Sequence, residues 1–397
     1  MKSLARPYGL MCRQGLTSLT TRASNLQQRP YSSTPSSETT ATTTATPTKK
    51  PQRQVIFSGI QPTGVPHLGN YLGALQQWKR MQDSADPETT DLIFSVVDLH
   101  AITVPQQRGN LKKWKREMLA ALLAIGLDPK RCTIFYQSMV PGHSELQWIL
   151  SYDANMLDDK AKSSLKHGLF SYPILQAADI LVHRATHVPV GEDQRQHLEF
   201  ARECVTNFNN AYKGKVLVAP ETILSPTKRV MSLQLPTKKM SKSDPDPSSR
   251  ILLTDTPSEI HAKILKARTD SLTPSLGITF DPIQRPGVSN LLQLLSHFDA
   301  ANRSAQEIAA QINAEVGNHG LDGEGEQNPL RKLKERVSEV VQRELNPIRE
   351  RYLELLQGDE GKEGGYLDEV IREGARKANE SAERTMSRVR RAVELGA

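Results

Sequence analysis

Val55-Ile56-Phe57-Ser58-Gly59-Ile60-Gln61-Pro62-Thr63-Gly64-Val65-Pro66-His67-Leu68-Gly69-Asn70 is the stretch that decides the fold of this chain. The apolar burst from Val55 to Ile60 reads as a buried first strand. Gln61-Pro62-Thr63-Gly64 is turn chemistry, and a helix continues through Asn70-Tyr71-Leu72-Gly73-Ala74-Leu75-Gln76-Gln77-Trp78. A strand end, a Gly-rich turn and a helix start bring bare backbone amides and the positive end of a helix dipole to one place. That geometry suits a phosphate or adenosine group. Gly69 lets a nucleotide lie close to the backbone, and His67 can donate to a polyphosphate. The stretch is neither a GxGxxG nor a Walker loop. On its own it reads equally well as a tight turn with a surface histidine.

Working outward, Asp91-Leu92-Ile93-Phe94-Ser95-Val96-Val97-Asp98 reads as a second buried strand and Leu111–Ile125 as an amphipathic helix. Cys132–Tyr136 is another β-rich run. Strands alternating with helices predict an α/β fold with a Rossmann-like, doubly wound parallel sheet. From Pro247 the pattern changes: Glu259–Ala267, Asn290–Phe298, Ala305–Ile312 and Leu330–Leu355 read as helices. Two domains follow, a catalytic α/β domain over 51–245 and a helical domain over 246–397, with no internal repeat. Motifs placed after strand ends put a site at the carboxyl edge of the sheet.

A chain of 397 residues can bury two such cores. Residues 1–54 carry eight basic side chains and one acid, Glu38, which accounts for the whole formal charge of +7. The remainder is balanced, so the basic character does not itself indicate nucleic acid, and any RNA surface must be a local patch. Residues 1–50, rich in Ser, Thr and Arg with no acid before Glu38, read as a mitochondrial transit peptide and linker, predicting a matrix protein. Arg29-Pro30-Tyr31-Ser32-Ser33 looks like a processing site. The alternative is a disordered basic tail on a cytosolic protein. Cys12, Cys132 and Cys204 are isolated, without CxxC spacing, which suggests neither a zinc cluster nor a disulfide framework. No apolar run approaches the roughly 20 residues needed to cross a bilayer, predicting a soluble chain with no membrane partner.

Lys238-Lys239-Met240-Ser241-Lys242-Ser243-Asp244-Pro245 reads as a mobile cationic loop, although a solvated basic turn is the commoner reading of such a charge run. A leaving pyrophosphate needs compensating charge in the transition state, and lysine ammonium groups can supply it. His67-Leu68-Gly69-Asn70 and Lys239-Met240-Ser241-Lys242-Ser243 together resemble the two signatures of the class I aminoacyl-tRNA synthetases. Gly59–Tyr71, Asp98-Leu99-His100-Ala101-Ile102-Thr103, Ala177-Ala178-Asp179-Ile180-Leu181, Val188-Pro189-Val190-Gly191-Glu192-Asp193-Gln194 and Gly287-Val288-Ser289-Asn290-Leu291 resemble the tryptophanyl branch of bacterial and organellar type, in order over roughly residues 55–395.

That resemblance implies a tryptophan–tRNA ligase serving mitochondrial translation. Tryptophan attacks the α-phosphate of ATP carried with Mg2+, and the acyl group then passes to the terminal adenosine of tRNA(Trp). It also implies a homodimer, joined through the catalytic domain. It places Gln61, Pro62, Thr63, Gly69, Asn70, Gly191, Glu192, Asp193, Val230, Lys239, Met240, Ser241, Lys242 and Ser243 at ATP-contacting positions. His67, Lys239 and Lys242 take the catalytic roles. Asp179 falls where the family's carboxylate accepts the indole N–H, with Tyr172, Gln194 and Phe57 at other tryptophan-pocket positions. Asp179 interrupts an apolar run, and a buried carboxylate without a donor is costly. Indole is donor-only, so such a site would reject phenylalanine. The alternative for Asp179 is a salt bridge within its helix.

Other readings stay plain. His183, His187 and His197 share a stretch but lack a ligand set, predicting no metal site. Asp98 and His100 close a strand end and shape the pocket. Arg372, Arg376, Lys377, Arg384, Arg388, Arg390 and Arg391 make the C-terminal helix locally basic, for RNA or merely solvated. The chain departs from the family between Ser151 and Leu169, where it is a few residues shorter and either Lys160 or Lys162 fills a lysine role. Gln176 replaces a methionine common in bacterial members, and Leu235 an aspartate. A tyrosyl ligase and a catalytically inert organellar RNA-binding relative are the two rival readings.

Overall fold

The computed structural model describes residues 53–103, 107–151, 167–191, 194–224, 229–272, 277–316, 328–359 and 364–396. The leader read at 1–50, the segment with Lys160 and Lys162, and Glu192 and Asp193 lie outside these residues. Five strands, β1 (Gln54–Ile60), β2 (Thr90–Val96), β3 (Thr133–Tyr136), β4 (His187–Val190) and β5 (Glu221–Leu224), form one sheet in the order β3-β2-β1-β4-β5. Every pairing is parallel, with Phe57 opposite Ile93 and Ile56 opposite both Leu92 and His187. This is the doubly wound order expected. Its direction of winding reverses between β1 and β4, so a crevice opens beyond Ile60 and Val190, the place where such sheets bind ligands.

The strands bury both faces, as parallel strands between helical layers do. Ile56, Leu92, Phe94, Val96 and Ile134 join one core, while their neighbours Phe57, Ile93 and Phe135 join the other. That split follows from alternate side chains pointing to opposite faces. On the first face lie α1, which runs as Leu68–Asn70, a π-helical turn Tyr71–Leu75 and Gln76–Ser84, and α3 (Asn110–Ala124). A short helix, α2 (Asp98–Ala101), precedes α3. On the second face lie α4 (Gly142–Leu150), α5 (His167–Leu181) and α6 (Arg195–Ala211).

After the sheet come α7 (Pro257–Leu265), α8 (Pro286–Phe298), α9 (Ala305–Val316), α10 (Pro329–Gly358) and α11 (Tyr366–Ala392). Leucines and isoleucines of α7 to α10 extend the first core continuously, and Pro51–Ala397 is one compact unit. Helix α11 contributes Leu367, Val370 and Ile371 to the first core and Ala375, Ala378, Ala382, Met386 and Val389 to the second. It therefore lies across the open edge of β3 and covers it, which protects an edge strand from pairing with other chains. Gly374 makes the crossing possible: a Cβ there would stand 1.8 Å from the Ile134 carbonyl oxygen.

The expected strands and helices appear with ends moved by a few residues. Two strands were not expected. β4 and β5 are four residues each, and Pro189 and the polar first residue of each hide them from hydrophobic periodicity. Tertiary pairing makes them strands.

Candidate functional site

The crevice at the carboxyl ends of β1 and β4 holds a cavity of about 670 Å3. Its walls come from Phe57 to Gln61 on β1 and the turn after it, Val188 to Gly191 on β4, and Tyr172, Gln176 and Asp179 on α5. Gly73, Ala74 and Gln77 add the wall contributed by α1. Gly73 and Ala74 lie in the π-helical turn, a local widening that often marks functional positions.

Asp179 lies at the floor, 2% exposed. Among the described residues it makes no salt bridge within its own helix; its partners come from three other elements. Gln137 donates through Nε2 to Oδ1 at 2.6 Å, His143 through Nδ1 to Oδ1 at 2.7 Å, and His100 through Nε2 to Oδ2 at 2.8 Å. Burial pushes the carboxyl up, but hydrogen bonds from His100 and His143 outweigh that and hold it at about 2. The group is therefore an ionised, acceptor-only anchor. A carboxylate offers about four lone-pair sites; three are taken, so Oδ2 retains room for one further donor.

Gln194 Oε1 accepts from His197 Nδ1 at 2.9 Å and from Gln176 Nε2 at 3.2 Å. With its proton on Nδ1, His197 accepts the Tyr172 hydroxyl at Nε2, 3.2 Å away. The glutamine at position 176 thus joins a polar side wall. The ring of Phe57 stacks on His183 at 5.7 Å between centroids. Phe57, Tyr172, Asp179 and Gln194 are thereby gathered around one cavity.

Beside it, two distant segments of sequence are stitched together. Leu68 N–H donates to the Ile251 carbonyl at 2.8 Å and Leu253 N–H to the Pro66 carbonyl at 3.0 Å. Lys242 then lies on the first turn, donating through Nζ to the Gly64 carbonyl at 2.8 Å and to Thr63 Oγ1 at 3.3 Å. Burial lowers the Lys242 ammonium to about 8, with Glu117 opposing. Lys239, Ser243 and Gln61 are exposed, and Pro62, Val230 and Met240 are buried. Val230 and Met240 are core side chains whose backbones bond to each other at 3.0 Å, so they hold the lysine loop. Asn290 clamps that hairpin by donating to the Met231 carbonyl at 3.1 Å and accepting its N–H at 3.0 Å.

His67 caps the start of α1. Its Nδ1 accepts from Asn70 N–H at 3.2 Å, and Asn70 Oδ1 accepts from His67 N–H at 3.1 Å. Burial, then the charges of Lys242, Lys239 and Arg250, lower the imidazole to about 4. It is neutral at pH 7, with its proton on Nε2 as a donor. A Cβ at position 69 would come within 2.9 Å of this ring, which explains the glycine.

Asp98 accepts from Ser138 N–H at 2.8 Å and pairs with Lys115 at 2.5 Å, closing the strand end as expected. Gln137 and His143, which donate to Asp179 beside His100, were missed. Each is a lone polar residue with no local pattern, and only the fold brings it to the floor. On α11 the basic residues divide. Arg376 pairs with Glu373 and Glu380, and Arg390 with Glu145 and Glu383. Arg372, Arg384, Arg388 and Arg391 are exposed and carry no ion pair among the described residues.

Comparison with known proteins places these features in a family. The family described as tRNA synthetases class I (W and Y) matches residues 49–330. The mitochondrial tryptophan–tRNA ligase of Saccharomyces cerevisiae is 41% identical over 357 residues, covering 84% of this chain and 88% of that protein. The tryptophan–tRNA ligase of Bacillus subtilis is 39% identical over 355 residues, covering 87% of this chain and 98% of the relative. Among solved structures, the tryptophanyl-tRNA synthetase of Campylobacter jejuni complexed with ADP and tryptophan superposes with a TM-score of 0.66. It is 29% identical and matches over 86% of this chain and 100% of that one.

Proposed function

Because the chain belongs to the class I tRNA synthetases of the tryptophan and tyrosine group, we propose that it is a mitochondrial tryptophan–tRNA ligase and that Asp179 selects its amino acid. The carrying observation is the ionised carboxylate at the cavity floor with one acceptor position left open. An indole N–H fills that position. A phenylalanine ring would leave it unpaired, a loss that sites of this kind convert into strong discrimination.

Tryptophan lies in the cavity with its carboxylate toward the Gln61–Gly64 turn, and ATP lies along that turn, carrying its Mg2+ from solution. The carboxylate attacks the α-phosphate, the bond to the departing pyrophosphate breaks, and tryptophanyl-adenylate forms. The protein's share is positioning and charge. Lys242, already on the turn, and the exposed Lys239 neutralise the pyrophosphate, and His67 Nε2–H donates to the phosphate chain. A hydroxyl of the terminal adenosine of tRNA(Trp) then displaces AMP.

Residues 246–397 read the anticodon, with Arg372, Arg384, Arg388 and Arg391 as the cations of α11 left for phosphate contacts. The homodimer forms through the catalytic domain, where Trp148 on α4 is 80% exposed and open to such a contact. The basic, acid-poor leader directs the chain to the matrix. Exchange of pyrophosphate into ATP, dependent on tryptophan and absent with tyrosine, tests this reading. Exchange with tyrosine alone, or with neither amino acid, would refute it.

A further inference from the structure

Behind Asp179 the buried polar groups continue away from the cavity. His143 on α4 is 0% exposed, and His183, in the turn after α5, is 3% exposed. The two imidazoles face each other through their Nε2 atoms at 3.2 Å, and His183 Nδ1 lies 3.2 Å from Ser381 Oγ on α11. Aromatic rings enclose both: Phe135 lies 5.6 Å from His143 and 5.7 Å from His183, and Phe57 stacks on His183.

The partners fix where the protons sit. The Asp179 carboxylate only accepts, so His143 Nδ1 carries a proton and donates to Oδ1. Of the two facing Nε2 atoms, one donates and one accepts. Burial, and then the neighbouring His143, keep His183 neutral. A neutral His183 completes the chain by donating Nε2–H to His143 Nε2 and accepting the hydroxyl proton of Ser381 at Nδ1. The chain thus runs one way: Ser381 to His183 to His143 to Asp179.

We infer that His143, His183 and Ser381 are positioning residues for tryptophan selection, a hydrogen-bonded chain that pins Asp179 from behind and anchors the pocket floor to α11. The inference rests on the reading of Asp179 as the indole acceptor. None of the three residues lines the cavity, so they act through Asp179 and not on the ligand. Without the His183 donor, the bare Nε2 of His143 is a buried unpaired acceptor. The ring then relieves itself by turning or by exchanging its proton, and Asp179 loses the donor that sets its direction.

The test compares His183→Leu, His183→Gln, Ser381→Ala and Asp179→Asn in full-length protein by ATP–pyrophosphate exchange, with separate KM values for tryptophan and ATP. His183→Leu should raise the tryptophan KM about tenfold, equivalent to about 1.4 kcal/mol, with the ATP KM unchanged. His183→Gln, whose amide can still donate, should recover most of that loss. Ser381→Ala, at a half-buried site on α11, should raise the tryptophan KM by about two- to threefold, as loss of a neutral hydrogen bond does. The inference is overturned if Leu and Gln at 183 raise the tryptophan KM equally, or if tryptophan and ATP values rise together. It is also overturned if Ser381→Ala leaves the tryptophan KM unchanged, and that arm decides should His183→Leu not fold. An Asp179→Asn variant with a normal tryptophan KM would instead overturn the reading of Asp179 itself.

Discussion

Replacing Lys242 by methionine removes a charge while keeping most of the side chain's volume, and its effect can be worked from the geometry. Nζ sits on the turn proposed to cradle ATP, 2.8 Å from the Gly64 carbonyl. When the bond to pyrophosphate breaks, negative charge grows on the leaving oxygens. One unit charge about 4 Å from another gains about 4 kcal/mol at an effective dielectric constant near 20. Part of this is already felt by the ground-state triphosphate, so the transition state loses about 3 kcal/mol, a drop of about a hundredfold in rate. Tryptophan affinity should barely change, since Lys242 does not line the cavity. Burial lowers the Lys242 ammonium to about 8. Below that pH the lysine is charged and active; as pH rises through about 8 it loses its proton, and kcat/KM for ATP should fall. This limb should vanish in Lys242→Met and move upward in Lys242→Arg, which stays charged. Pyrophosphate exchange measured across pH supplies the test. A methionine variant with wild-type exchange, or a wild-type profile flat through the alkaline range, would refute the assignment.

Asp179→Asn should raise the tryptophan KM by about 10- to 100-fold, the range for losing a hydrogen bond to a charged group, with the ATP KM unchanged. The same carboxylate sits at about 2 in the fold, below its ordinary value of 3.8. Its folded value is depressed, so the stability it contributes is present above the unfolded value and is lost as pH falls from about 4 toward 2. Urea unfolding across that window should show a shallower acid limb in Asp179→Asn. Gly69→Ala drives a methyl into the His67 ring and should lower kcat/KM for ATP about tenfold with a far smaller change in Tm, the cost of a misplaced catalytic group. Gly374→Ala places its Cβ 1.8 Å from the Ile134 carbonyl oxygen and should destabilise the fold by about 3 kcal/mol or more, since backbone cannot yield as a side chain does. Arg390→Ala breaks the paired contact with Glu145 between α11 and α4. These groups are 30% and 37% exposed, so the cost in chemical denaturation should be about 1 kcal/mol or less.

Local pattern carried much of this protein. The run from Val55 to Asn70 announced a strand, a turn and a helix because apolar periodicity, glycine and proline act on the backbone within a few residues. The lysine loop and the position of Asp179 in an apolar run were readable in the same way. The tertiary structure decided what had no local signal. β4 and β5 are too short, each with a polar first residue, to be strands until β4 pairs with β1 and β5 with β4. Gln137 and His143 stand 42 and 36 residues before Asp179, and only the packing of α4, and of the turn that follows β3, against α5 makes them its donors. The basic residues of α11 looked alike in the chain, yet Arg376 and Arg390 turned out to be paired and Arg372, Arg384, Arg388 and Arg391 open to solvent. The sequence determined which segments form elements and which residue types could carry charge or accept a proton. Direction, pairing and protonation depend on neighbours remote in sequence, because a hydrogen bond reaches only about 3 Å, and folding alone sets which groups come that close.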